Sequence, residues 1–220
     1  MKYLSLLLLA TFLFACQAAN NTSTPGSQDT ASASVSDLLK QYKPIKADTL
    51  SIESQYEEEA EKGWAYEGAL LDTTFLRLFP SEFQQEGGQF YACYKFNLDA
   101  NTIGLITRTP SEYSSTSIKL FAWHKQNNKI TFETELAEIF GDAGDILNKS
   151  SLLYHTPDSG WRGILEKYEY SENMEDTTAA ELESYDYYHF KWNGQRIDTI
   201  STDSSALVET FKKMSPQKTK

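Results

Sequence analysis

Apolar and polar residues alternate with a period of two from Phe90 onward, and turn residues interrupt the alternation about every ten residues. Such alternation is typical of strands that bury one face. Asn193-Gly194, between two alternating runs, is a strong hairpin signal. The predicted strands are 90–96, 102–107, 117–124, 129–136, 151–155, 161–170, 187–192 and 196–200. The pattern predicts a mainly β protein, whose antiparallel β-meander units form a curved sheet, a sandwich or a barrel.

Short helices are predicted on both sides of these strands. A capping side chain at the start and a proline beyond the end predict helices over 36–41 and 72–79. The glutamate-rich stretch 56–64 is typical of a solvent-exposed helical face. A C-terminal helix, packed on the β layer, is predicted within 203–220. These features make 36–89 a mixed helical and irregular part before the strands.

The predicted β-meander body spans 90–202 and contains two units of hairpin, loop and hairpin, at 90–140 and 151–202. The two units match in hydropathy more than in residue identity. Two four-stranded units are too few to close a propeller, which needs at least about four blades. The expected architecture is therefore one β domain with flanking helices.

The N-terminus combines Lys2, an apolar run from Leu4 to Phe14, and a small residue before Cys16. This order is typical of a secretory signal peptide, and the run is shorter than the roughly 20 residues of a transmembrane helix. The sequence Leu13-Phe14-Ala15-Cys16 resembles the lipobox of a bacterial, Bacteroidota-like lipoprotein. The resemblance implies that residues 1–15 are removed and that Cys16 becomes the lipid-modified N-terminus.

Residues 16–35 are rich in Ser, Thr, Asn and Ala and contain one charged residue, Asp29. A segment of this composition cannot bury a core, so it is predicted to be a flexible tether. Acyl chains on Cys16 would hold the folded part near a membrane. No acidic cluster follows Cys16, which favours an outer-membrane anchor facing the periplasm over export to the cell surface.

Composition and charge exclude two classes of protein. The chain has 220 residues, 40% of them hydrophobic, with 13 Tyr and 12 Phe, so it is not disordered as a whole. Twenty Lys and Arg against 31 Asp and Glu give a net charge of −11, which makes nucleic acid an unexpected partner. The chain has two cysteines, and Cys93 lies within a predicted strand as an expected buried residue.

Catalytic and metal-binding motifs are not found in the sequence. His124, His155 and His189 do not have the spacing of a known metal motif, so no metal and no cofactor are expected. Glu133 and Glu135 share a strand face about 7 Å apart, a separation compatible with an acidic-residue hydrolase. The alternating residues on the other face of this strand are expected to face the core, so both glutamates are expected to face solvent. No catalytic residue is assigned.

Asn97, Asp99 and Asn101 place oxygen ligands at alternate positions, as a calcium loop does. The glycine and the glutamate that such a loop needs are replaced by Thr102 and Arg108. The segment is therefore predicted to be a hairpin turn.

One predicted strand is crowded with aromatic residues. Tyr188, Phe190 and Trp192 form the row that is expected to face the core. The opposite row, together with tyrosines on the hairpin partner, is a candidate binding face for a sugar or peptide, unless it serves only cross-strand packing. Its residues are Tyr187, His189, Lys191, Tyr168 and Tyr170.

Asp-Thr pairs followed by an apolar residue or Thr occur five times and resemble the O-glycosylation motif of secreted Bacteroidota proteins. The resemblance implies Thr30, in the tether, as the acceptor. The alternative is that Asp and Thr recur because both residues favour caps and turns.

These observations predict a membrane-tethered lipoprotein with a non-catalytic binding or accessory role in the bacterial cell envelope. Its expected partners are the membrane, through Cys16, and a glycan, peptide or protein ligand. An inhibitor or immunity-type protein-binding domain and an acidic-residue envelope hydrolase are the alternatives.

Overall fold

A computed structural model describes residues 33–45, 47–56, 63–84, 88–111, 114–142, 144–172 and 182–215. All of them belong to one compact unit, Ser32–Lys220. The predicted signal peptide, Cys16 and Thr30 lie outside the described residues, as does 57–62 of the glutamate-rich stretch. Among the described residues, no helix is both long enough and apolar enough to cross a membrane.

In this part of the chain, four helices and eleven strands form. The helices are α1 (Val35–Gln41), α2 (Thr73–Leu76), α3 (Ser81–Gln84) and α4 (Ser204–Met214). The first strands are β1 (Lys43–Pro44), β2 (Thr49–Glu53), β3 (Ala69–Leu70), β4 (Tyr91–Asn97), β5 (Thr102–Thr109) and β6 (Ser117–His124). The remaining strands are β7 (Lys129–Asp142), β8 (Asp145–Thr156), β9 (Gly160–Ser171), β10 (Leu182–Trp192) and β11 (Ile197–Ser201).

Capping side chains set the starts of the helices. The Asp72 carboxylate accepts a hydrogen bond from the Thr74 N–H at 2.8 Å, so the predicted cap of α2 is confirmed. Asp203 caps α4 in the same way. For α1 the cap is Ser34 rather than the predicted Ser36, and the helix begins one residue before the predicted range.

The strands form one mixed, open sheet, and the predicted mainly β fold is confirmed. The strand order is β1-β4-β5-β6-β7-β8-β9-β10-β11, while β2 pairs with β8 and β3 pairs with β4. Each pair is antiparallel except β1 with β4. The sheet is not closed, which excludes the barrel among the predicted architectures.

The long strand β7 changes partners along its length and so bends the sheet. Its first part pairs with β6, and from Glu138 onward it pairs with β8. Two register shifts interrupt the β6–β7 ladder, and such bulges increase local bending and twist. Beyond Lys149, strand β8 pairs with β2 instead of β7. We call β1, β3, β4, β5 and β6 the first half of the sheet, and β2, β8, β9, β10 and β11 the second half.

The main core lies between these two halves. It unites Ile106 and Leu120 of the first half with Leu153 and Phe190 of the second. The rings of Phe96 and Trp161 meet across the core at 4.4 Å. The Trp161 indole also donates a hydrogen bond to the Asn97 carbonyl at 2.8 Å. These contacts hold the hairpin ends of the two halves together.

Helices cover the opposite, outer face of each half. On the first half, Leu38 of α1 and Phe83 of α3 pack in one cluster with Phe121 of β6. On the second half, Leu207 and Phe211 of α4 pack with residues of β8, β9 and β10. The predicted packing of a C-terminal helix on the β layer is therefore confirmed. This arrangement decides which strand residues remain accessible.

Candidate functional site

The five residues of the predicted binding face all lie on one side of the second half, the side on which α4 packs. We call this side the outer face. Along β10, the register places Tyr187 opposite Glu166 and Lys191 opposite Arg162 of β9. Helix α4 packs over the middle of the outer face, on Tyr187, and Tyr168 and His189 lie to either side of it.

Tyr187 does not face solvent, as a direct role in the candidate binding face would require. Its side chain is only 4% exposed and its ring contacts Phe211 of α4, with ring centroids 5.7 Å apart. Its hydroxyl donates a hydrogen bond to the Glu166 carboxylate. Burial and this negative partner raise the pKa of Tyr187 above its ordinary value. Period-two alternation separates the two faces of a strand, but it does not show that a helix covers one of them.

Tyr168 and Tyr170 lie near the far end of the outer face. Tyr168 is directly opposite Tyr185 of β10, and the two rings are 4.8 Å apart. Tyr185 is 53% exposed, so this pair includes an accessible aromatic surface. Tyr170 lies between Ile146 of β8 and Glu183 of β10. The cross-strand packing that the sequence left as an alternative therefore occurs at Tyr168.

His189 and Lys191 lie on the other side of α4 and are half-buried. The His189 Nε2 atom shares a hydrogen bond of 3.0 Å with the Tyr154 hydroxyl of β8. Burial, and then the positive charge of Arg162, lower the pKa of His189. Of the predicted face, these two residues lie beside the cation Arg162.

A separate cavity lies where three hairpin turns converge, and we call it the turn pocket. It has a volume of about 530 Å³. Its polar lining comes from the β4–β5 turn, from the β6–β7 turn with the adjoining end of β6, and from the β10–β11 turn. The lining side chains are Asp99, Asn101, His124, Gln126, Asn127 and Gln195. Chain positions nearly a hundred residues apart therefore contribute to one concavity.

Asp99 is fixed at one side of the turn pocket. Its carboxylate accepts hydrogen bonds from the Trp192 indole at 2.7 Å and from the Asn101 N–H at 2.7 Å. Burial alone would raise the pKa of Asp99, but hydrogen bonds from Trp192, Asn101 and Thr102 outweigh it and lower that pKa. The pocket consequently carries a fixed negative charge at neutral pH.

Contacts between turns keep the turn pocket in shape. The Lys125 ammonium donates to the Ala100 carbonyl at 2.8 Å, and the Lys125 N–H donates to the Asn101 carbonyl at 3.0 Å. His124 packs near Trp192, with ring centroids 6.2 Å apart, and shares a 2.9 Å hydrogen bond with Thr131. These contacts hold the three turns against one another.

The calcium-like segment lies in this pocket as a hairpin turn, as predicted. The carbonyl of Asn97 is used by Trp161, and both carboxylate oxygens of Asp99 are used by neighbouring donors. Within the described ranges, no group of three or more His, Cys, Asp or Glu residues is placed to hold a metal ion. The three histidines lie apart: His124 in the turn pocket, His155 beside Trp161 at 5.4 Å, and His189 on the outer face.

Glu133 and Glu135 do not face solvent freely, contrary to the prediction. Glu133 accepts hydrogen bonds from the Thr131 hydroxyl at 2.6 Å and from the Ile197 N–H at 2.9 Å. Glu135 instead binds Lys149 and has a side chain only 21% exposed. The cause is partly tertiary, because Ile197 of β11 and Lys149 of β8 approach β7 only in the folded sheet.

Lys149 joins two carboxylates where β6, β7 and β8 meet. Its ammonium contacts Glu135 and lies 2.8 Å from Glu138. Burial would raise the pKa of Glu138, but the bonds from Lys149 and Ser111 lower it. Burial would likewise lower the pKa of Lys149, but its two glutamate partners raise it. The cluster is a set of mutually satisfied charges.

Cys93 is buried, as predicted. It is 1% exposed, and its thiol donates a weak hydrogen bond to the Tyr66 carbonyl at 3.4 Å. Burial raises the pKa of Cys93 to about 12. The thiol therefore stays protonated at neutral pH.

Two groups of residues in these sites were missed by the sequence argument. Tyr154 and Arg162 lie beside His189 and Lys191, and Trp192 supports the turn pocket from the core side. A sequence signal existed for the turn pocket, because each of its turns was predicted. No signal showed that the three turns meet.

Comparison of the chain with protein-family models, with curated proteins and with solved structures finds no match.

Proposed function

We propose that this protein is a lipid-anchored, non-catalytic binding or accessory protein of the bacterial cell envelope, attached through Cys16 to the outer membrane and facing the periplasm. Its ligand binds in the turn pocket. The signal sequence and lipobox resemblance support the location. The convergence of three turns on one polar cavity of about 530 Å³ carries the binding role.

The turn pocket has the properties of a small-ligand site. Its volume falls within the roughly 300–1,000 Å³ of typical ligand pockets. Its walls are preorganised by the hydrogen bonds of Asp99 and Lys125, so little conformational entropy is lost when a ligand binds. Ligand-binding residues commonly lie on loops that a rigid scaffold positions, and here the core tryptophans supply that support.

The lining favours an uncharged ligand rich in hydroxyl groups, which means a glycan. Side-chain amides offer both donors and acceptors to hydroxyls, and Asn101, Gln126 and Gln195 contribute them. The ionised Asp99 disfavours an anion. Among the described residues that line the pocket, none is a lysine or an arginine, so the lining offers an anion no such charge.

Calorimetric titration of the purified protein with neutral envelope oligosaccharides tests this assignment. Gln195→Ala removes one amide from the pocket rim and is expected to weaken glycan binding about 5- to 20-fold, the loss expected for one or two hydrogen bonds. Gln41→Ala, an exposed residue at the end of α1, is the matched control and should bind as the unaltered protein does. The proposal fails if no neutral glycan binds. It also fails if peptides bind and Gln195→Ala does not change their affinity.

A further inference from the structure

Arg162 and Lys191 lie directly opposite each other on β9 and β10 of the outer face. Residues paired in this way have Cβ atoms about 4.5–5.5 Å apart, and like charges there destabilise a sheet. Both side chains are half-buried. In a chain of net charge −11, two adjacent cations at one register position are not explained by the stability of the sheet.

The neighbouring strands present one carboxylate to this pair, Asp198, whose pKa is lowered by its hydrogen bonds with Asn193 and Arg196 and by the charge of Lys191. Tyr154 of β8 is opposite Arg162, and Asp198 of β11 is opposite Lys191. The Asp198 carboxylate is bound by the Arg196 guanidinium at 2.9 Å and by the Asn193 amide at 2.6 Å. Over the described residues, neither Arg162 nor Lys191 forms an ion pair with a carboxylate.

Packing rather than a charged partner holds Arg162 in place. Its Nε atom is buried and has no hydrogen-bond partner within the described part of the chain. Its charge reaches His189, whose pKa it lowers together with burial. Helix α4, which packs on the same face, carries the exposed charges Glu209, Lys212 and Lys213. Arg162 therefore lies opposite Lys191 with a buried Nε atom that has no hydrogen-bond partner among the described residues.

We propose that Arg162 and Lys191 form an oxyanion site on the outer face that binds the phosphate group of a ligand. A doubly charged oxyanion between them turns an unfavourable pair of like charges into two charge-assisted hydrogen-bonded contacts. The guanidinium supplies a planar fork for two phosphate oxygens, and the ammonium supplies a mobile point charge. This site is independent of the turn pocket, because the two share no residue.

His189 reports on occupancy of this site. A bound phosphate cancels the positive potential of Arg162, so the pKa of His189 is expected to rise by about 0.5–1 unit. The chain has three histidines, which keeps their NMR signals few enough to assign with single His→Gln variants. The experiment titrates the purified full-length protein from about pH 5 to 8.5, around the ordinary His pKa, with inorganic phosphate or with chloride at equal ionic strength.

Arg162→Gln and Lys191→Gln are both expected to abolish the phosphate-induced shift. In chloride alone, Arg162→Gln should already raise the His189 pKa, because it removes the charge that lowers it. Arg77→Gln changes an exposed arginine after α2 and is the matched control, which should retain the full shift. No phosphate-dependent shift in the unaltered protein, or an equal shift in Arg162→Gln, overturns the proposal.

The source of the phosphate group is resolved by a second probe. Glycerol 3-phosphate presents the same group as an ester. If it produces the His189 shift at a concentration similar to that of inorganic phosphate, the site accepts an esterified phosphate such as a lipid or glycan headgroup. If only inorganic phosphate does so, the site binds the free ion. Both outcomes support the oxyanion site.

Discussion

Asp99 shows how a single carboxylate links the turn pocket to the core. It accepts one hydrogen bond from its own turn, through the Asn101 N–H, and one from the Trp192 indole at the end of β10. The first bond is local and is typical of an Asx turn, so it follows from the sequence. The second joins residues 93 positions apart and exists only in the folded sheet. The position of the carboxylate in the turn pocket therefore depends on tertiary structure.

Trp192→Phe tests this link. It keeps most of the buried ring but removes the N–H, so one oxygen of Asp99 loses its donor and the free energy of unfolding at pH 7 is expected to fall by about 1 kcal/mol. The lowered folded-state pKa of Asp99 stabilises the protein above the unfolded pKa, and this stabilisation is lost as the pH falls through the folded pKa.

The difference in the free energy of unfolding between Trp192→Phe and the unaltered protein should therefore become smaller as the pH is lowered. Urea unfolding at several pH values measures it. Trp123→Phe is the control, because its indole donates to Asn128 in an exposed turn and should matter less. A Trp192→Phe effect that does not change with pH would contradict the role assigned to Asp99.

Among the elements, β7 and β8 depart most from prediction. The sequence predicted strands 129–136 and 151–155 with a break around 141–145, whereas β7 extends to Asp142 and β8 begins at Asp145. The Gly and Asp residues there do make a turn, and Gly144 has a φ of +94°. A turn signal marks where the chain reverses, but it does not say how far the strands extend toward it.

These long strands bring Lys149 to Glu135 and Glu138, and Lys149→Met tests the cluster. Removing the cation leaves two partly buried carboxylates close together. This is expected to lower the free energy of unfolding by about 1–3 kcal/mol at pH 7. Glu138 has a lowered pKa, so its stabilising effect is present above its unfolded pKa and is lost as the pH falls through the folded value.

Lys149 has a raised pKa, so its contribution is complete below its unfolded pKa and is lost as the pH rises through the folded value. The cost of Lys149→Met should thus be largest near neutral pH and smaller at the acid end. Denaturant unfolding across that range measures it. Lys40→Met, which breaks an exposed pair with Asp37 in α1, is the control and should have little effect. Equal costs for the two variants would contradict the account of the cluster.

For the whole molecule, the proposed anchor and the folded sheet have separate roles. The sheet, its core and its two candidate sites lie within the compact unit Ser32–Lys220. The anchor is proposed at Cys16. If the acyl chains attach there, removing them should change where the protein is found and leave the fold unchanged.

Cys16→Ala tests this separation. The variant is expected to lose incorporation of labelled palmitate and to shift from the membrane fraction to the soluble fraction, because each buried methylene contributes about 0.8 kcal/mol to membrane binding. Cys93→Ala is the matched cysteine control and should remain labelled and membrane-bound, since the Cys93 thiol is buried. Labelling that persists in Cys16→Ala would contradict the proposed anchor.

The mainly β class, the short flanking helices and the position of most turns could be predicted from the order of the residues alone. This is possible because alternation, caps and turn residues act over a few neighbouring positions. Strand β6 forms with the predicted bounds, Ser117–His124, and Cys93 is buried as expected. Each hairpin of the turn pocket could likewise be predicted separately.

Which residues share a site follows from the packing of the folded chain. Helix α4 covers Tyr187, the register of β9 with β10 places Arg162 against Lys191, and the facing halves bring three turns together. These relations depend on the packing of segments far apart in sequence, and a local pattern does not contain them. The candidate binding face on β10 therefore stays a prediction, and what the structure adds is that Tyr187, at its centre, is buried.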